Sequence, residues 1–137
     1  MIIPNFQRFL FPFLSVLKDG KEHTLPEIKE ILAGQFNFAS EALDELLPSG
    51  RQTRFDNRVR WARTNLRKAG LLEITSRATY RITERGYEAL KANPTEITRK
   101  TLEAYPEYQQ FTSILRPEFK TEEKEAETYQ TPEETLG

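Results

Sequence analysis

Between Arg51 and Lys68 the chain gathers side chains that read and grip polyanions. Arginine and lysine neutralise phosphates and release counterions, arginine can hold guanine through two hydrogen bonds, and asparagine can do the same at the adenine edge. The stretch RFDNRVRWARTNLRKAG carries six such cations (Arg54, Arg58, Arg60, Arg63, Arg67, Lys68) against one acid, Asp56, with Asn57, Thr64 and the single tryptophan, Trp61, among them. The preceding SGRQTR adds Arg51 and Gln52, small and polar surroundings suited to phosphate contact near a helix start. Arg77 lies in a turn between two β-rich runs, from which it could reach the backbone or an adjacent groove.

Other chemistry has weaker support. Metal-dependent nucleases need an Asp and an acid-x-Lys pair converging on Mg²⁺. Acid-x-Lys occurs as Glu27-Ile28-Lys29, Glu118-Phe119-Lys120 and Glu122-Glu123-Lys124, the first on a capped helix and the others in an acidic tail. No Pro-Asp pair accompanies them, and no catalysis is expected of this chain. There is one histidine, His23, and no cysteine, so zinc is not expected, nor any other cofactor. Absence of cysteine suits a reducing cytoplasm.

The charge is polarised although the whole 137-residue chain is close to neutral at −1. Residues 51–85 hold ten basic side chains and three acids, a net of +7, and few of those acids stand one helical turn from an arginine. Residues 118–137 hold seven Glu and two Lys, a net of −5, with no apolar period. A basic binding face followed by a flexible acidic tail is expected. The apolar N-terminus lacks the features of a signal peptide or a membrane span, and reads as a core helix.

The elements that must position these residues follow from periodicity and caps. Gln7 to Lys18 is apolar at most helical positions and ends at Asp19-Gly20. KEHTL allows one small strand. Thr24 as cap, Pro26 in the first turn and Glu27 three residues after the cap open a second helix. Ser40 caps a short helix through Leu47, stopped by Pro48 and Gly50. The basic helix spans Phe55 to Ala69, with Gly70 ending it. LLEIT and TYRIT then predict a two-stranded hairpin, Thr83 opens another helix, a short helix follows around Glu96 to Ala104, and the segment PEYQQF completes the ordered part.

This order gives a mainly α, α+β fold: a winged helix-turn-helix with an inserted short helix, a β-hairpin wing and C-terminal helices. On a helical wheel Phe55, Val59, Ala62, Leu66 and Ala69 form a core seam within about 40° of Phe55. Asn57, Arg60, Trp61, Thr64 and Lys68 fall opposite, Arg67 lies at the edge, and Arg58 and Arg63 flank the seam. Trp61, roughly 120° from the seam, either closes a satellite cluster under a neighbouring element or meets a base or methyl group. The N-terminal half of such a helix reaches base edges, which points to Asn57, Arg58, Arg60 and Trp61.

LPSGRQTRFDNRVRWARTNLRKAGLLE resembles the N-terminal domain of Mrr restriction-system proteins, and IPNFQRFLFPFLSVLKDGKEHTLPEI and YRITERGYEALKANPTEI resemble the same domain. The likeness covers about Met1 to Phe111, with the SGRQ run at 49–52 and the NRVRWART run at 57–64 its most specific parts. It implies a winged-helix module for double-stranded, modified or methylated DNA in a type IV restriction endonuclease. The family's PD-(D/E)xK nuclease domain would follow, and TPEET resembles the linker to it. Residues 1–116 then form the DNA-binding domain and 117–137 a tail toward a nuclease domain that this chain lacks. The resemblance carries DNA contacts to Asn57, Arg58, Trp61, Arg63 and Thr64. Arg60 stands where the family usually has a small residue, and Asn65 where it often has an aromatic. A stand-alone transcriptional regulator and an interaction module restraining an attached nuclease are the alternatives. Whether the protein is a monomer or a dimer is left open.

Overall fold

The computed structural model describes residues 3–114. Helix α1 (Gln7–Val16) runs into a 3-10 turn, Leu17–Asp19, closed by Gly20 at a positive φ of 81°. Strand β1 (His23–Thr24) leads into α2 (Leu25–Phe36), whose start is the expected capping box: Thr24 accepts from the Glu27 N–H, while Glu27 accepts from the Thr24 N–H. Helices α3 (Ser40–Asp44) and α4 (Arg54–Lys68) follow. Strands β2 (Leu72–Ser76) and β3 (Thr79–Ile82) form the hairpin, and α5 (Glu84–Ala92), α6 (Arg99–Leu102) and α7 (Pro106–Ile114) complete the described chain. No helix among the described residues is long and apolar enough to cross a membrane.

The fold is mainly helical with one small antiparallel sheet, and its elements come in the expected order. Three details differ. The hairpin is part of a three-stranded sheet of order β1-β3-β2, because His23 pairs with Tyr80 and Thr24 with Thr79. Ser40 is the first residue of α3, with Ala39 at the cap position, and the helix ends at Asp44. Glu45 turns extended there, and an isolated bridge between Leu46 and Thr53 replaces the expected last turn. PEYQQF, which has no marked apolar period, is helical within α7 because Tyr108 and Phe111, one turn apart, both reach the core. The acidic tail, two of the acid-x-Lys runs and the boundary at 116/117 lie outside the described residues.

One continuous core holds the molecule together. Phe9, Leu10, Phe13 and Leu14 of α1 meet Leu25, Ile28 and Leu32 of α2, the α4 seam, Tyr80 and Ile82 of β3, and Tyr108 and Phe111 of α7. Phe9 packs edge-on against Phe38 and Phe55, with ring centroids 6.3 and 5.8 Å apart. Helix α5 approaches the hairpin so closely that a Cβ at Gly86 would lie 2.2 Å from the Leu71 carbonyl oxygen. Only glycine fits there.

Candidate nucleic-acid interface

The loop before α4 is closed by backbone bonds. Leu47 N–H donates to Gln52 C=O at 2.9 Å, Arg54 N–H to Glu45 C=O at 2.8 Å, and Gly50, at φ 74°, donates to Leu47 C=O at 2.8 Å. This fixes the SGRQ turn against the helix start. Thr53 then caps α4 by accepting from the Asp56 N–H at 3.0 Å. At the far end Gly70 takes a φ of 83°, as expected of a residue that turns the chain out of a helix.

The expected seam is buried: Phe55, Val59, Ala62, Leu66 and Ala69 are at most 5% exposed. The outward placement of Asn57, Trp61 and Thr64 is corrected. Trp61 and Thr64 are fully enclosed and Asn57 is 2% exposed; the seam-flanking Arg58 and Arg63 are buried too. A wheel with one seam assumes a helix packed on one side, whereas α4 is contacted by α1, α3, α7 and β2. Of the two roles open to Trp61, packing under neighbouring elements holds, within the main core rather than in a satellite cluster.

Polar groups in this environment bond to one another, as burial requires. Arg63 donates to Tyr80 Oη and to Thr64 Oγ1, both at 3.3 Å. Arg58 donates to Asn57 Oδ1 at 2.9 Å, and Asn57 donates to Gln52 Oε1 at 3.2 Å. Asn65 donates to the Trp61 carbonyl at 2.7 Å and accepts from the Tyr108 hydroxyl. That last pair shows how a polar residue is accommodated at this buried position: α7 brings a tyrosine to meet Asn65.

The remaining candidates reach the surface. Arg51 and Arg77 are exposed; Gln52, Arg54, Arg60, Arg67 and Lys68 are partly so. Arg77 occupies the hairpin turn beside Ala78, whose carbonyl accepts from Leu25 N–H at 2.9 Å and so ties the turn to the start of α2. Lys68 also lies over the Phe111 ring, 5.7 Å from its centroid.

Acids from outside the basic stretch temper its charge. Arg54 pairs with Glu45 at 3.5 Å and Arg85 with Glu107 at 3.1 Å; within the stretch Arg81 pairs with Glu73 at 2.9 Å. Asp56 holds three groups at once: Lys29 Nζ at 2.7 Å, Gln52 Nε2 at 2.7 Å and Arg60 Nε at 2.8 Å. Burial alone would raise the Asp56 pKa, but bonds from Lys29 and Gln52 and the Arg60 charge hold it below the usual value. Lys29 was not legible as a member of this surface, since it lies 27 residues away on another helix. The acid-x-Lys run that contains it has structural roles: Glu27 closes the α2 cap and bonds His23.

His23 itself sits between carboxylates, with Nδ1 2.8 Å from Glu27 Oε2 and Nε2 3.0 Å from Asp19. Among the described residues no group of three or more His, Cys, Asp or Glu is arranged to hold a metal ion.

A helix-rich domain with a small antiparallel sheet, presenting cations at one helix start and one hairpin turn, is the class these features define. The family model of the Mrr N-terminal domain matches residues 6–92, well over half the chain, and the chain belongs to that family. It is similar to the type IV methyl-directed restriction enzyme EcoKMrr of Escherichia coli strain K12, with 26% identity over 101 residues. That alignment covers 73% of this chain and 33% of the relative, so the chain spans about a third of the curated relative's length. No solved structure matches.

Proposed function

We propose that this chain is a double-stranded DNA recognition module of winged-helix type from an Mrr-like restriction enzyme, reading modified or methylated DNA and contributing binding rather than chemistry. The observation that carries the reading is the surface formed by the SGRQ turn, the partly exposed cations of α4 and the Arg77 turn in a chain of this family. Arg51, Arg54, Arg60, Arg67, Lys68 and Arg77 supply phosphate contacts, and Gln52 is the amide within reach of a base edge. Asn57, Arg58, Trp61, Arg63 and Thr64 act from beneath, holding α4 at the angle that presents those side chains. The methylated target is carried over from the name of the relative, and a nuclease domain in the parent protein would cut what this module holds.

The test is the salt dependence of duplex binding in Arg51→Ala and Arg77→Ala. Each loss of a phosphate contact should lower the slope of log K against log salt by about 1 and weaken binding to all sequences alike. Unchanged slopes in both variants would remove these arginines from the interface.

A further inference from the structure

We propose that Asp56 is a positioning residue that limits how tightly this surface holds DNA of any sequence, by keeping Lys29 and Arg60 engaged with its own carboxylate. The inference rests on the DNA-binding reading above and deepens it. Three observations carry it. Asp56 is the only acid within α4, at the half of the helix expected to meet the duplex, yet it is not the cap, since Thr53 Oγ1 fills that role. Its two oxygens take cations from two different helices: Oδ1 accepts from Lys29 of α2 at 2.7 Å and Oδ2 from Arg60 of α4 at 2.8 Å. Finally, the cluster is partly open, with the Lys29 and Arg60 side chains 31% and 28% exposed and the carboxylate 14%. Both cations can therefore meet solvent or a phosphate while the acid lies beneath them.

Two positive charges and one negative leave the cluster with a net of +1. A phosphate arriving here must compete with a carboxylate already in hydrogen-bond contact with both cations. Sequence-independent affinity scales with the number of phosphates neutralised, so an acid that occupies two cations suppresses that term first. Contacts made by Gln52 depend on geometry rather than charge, and the same carboxylate fixes Gln52 by accepting from its amide at 2.7 Å. Asp56 thus trades indiscriminate grip for a held donor array, a device of specificity by restraint.

The experiment compares the full chain with Asp56→Asn, titrating one unmethylated duplex across a range of salt concentrations near neutral pH. Releasing Lys29 and Arg60 should steepen the slope of log K against log salt by about 1 to 2 and tighten binding roughly tenfold at low salt. Asp56→Glu, which keeps the charge, should restore a slope near that of the wild type. Adding Lys29→Gln to Asp56→Asn should remove about 1 from the gained slope. A role in folding alone would lower the melting temperature without steepening the slope. Should the asparagine variant not fold, Asp56→Ser, a residue at ease in a first helical turn, provides the same comparison. A slope unchanged or shallower in a folded Asp56 variant, with wild type binding normally, overturns this inference alone. A wild-type chain that binds no duplex overturns the DNA-binding reading and this inference with it.

Discussion

Trp61 is the single tryptophan and is fully enclosed, which makes it a reporter of the core. Its fluorescence should be blue-shifted and shielded from acrylamide in the folded chain, moving to the red on unfolding; ready quenching in native buffer would contradict the burial. Truncation to alanine should cost about 3–5 kcal/mol in urea unfolding. Asn65 is a second fixed point, since its amide ties the Trp61 carbonyl to the Tyr108 hydroxyl. Asn65→Ala leaves a buried hydroxyl without this acceptor and should cost about 1–3 kcal/mol. His23 adds a pH dependence. Burial disfavours its charged form, but hydrogen bonds to Asp19 and Glu27 outweigh that and raise its pKa above 6.5. A raised value contributes stability that is fully present below about 6.5 and is lost as pH rises through the folded-state value. The urea midpoint should therefore fall as pH rises from about 6.5 through the folded-state value in the wild type, and fall less in His23→Gln. At this scale the sequence is only partly legible: the cations are plain, but Asn57, Trp61 and Thr64 fall opposite the seam on a wheel, which carries no sign that α1, α3, α7 and β2 enclose the helix.

Among the elements, α4 decides the architecture. Its seam was readable from spacing because Phe55, Val59, Ala62, Leu66 and Ala69 recur at helical intervals. The Thr24 capping box and the Gly70 turn were readable too, since both are local chemistry. Enclosure of α4 on several sides was not, because polar residues on a buried face look like surface residues until their partners, Tyr80 and Tyr108, are known. The small strand in KEHTL was readable as well, but its pairing with β3 was not, since two residues carry no signal of their partner. A close approach between elements is at Gly86, where an added Cβ would also lie 2.6 Å from Ile82 Cγ1. Gly86→Ala should destabilise by about 1–3 kcal/mol despite alanine's better helix propensity, because α5 must move off the hairpin. A variant as stable as the wild type in thermal melting would show that α5 has room to shift.

For the whole molecule, charge distribution matters more than net charge. A chain at −1 overall carries +7 across residues 51–85, and ion pairs to Glu45 and Glu107 spread part of that charge into neighbouring elements. What remains at the surface is concentrated at the SGRQ turn, the outer edge of α4 and the Arg77 turn. The family of the chain was legible in its motifs, whereas the acid that moderates the cationic surface emerged only once α2 and α4 were seen side by side. DNA recognition by this surface is tested by a titration of the chain with methylated and unmethylated duplexes of one sequence, at low and near-physiological salt. Binding should weaken steeply with salt, with the methylated duplex held more tightly. Failure to bind either duplex at low salt would contradict DNA recognition, and equal affinity for the two would remove methyl recognition while leaving DNA binding in place.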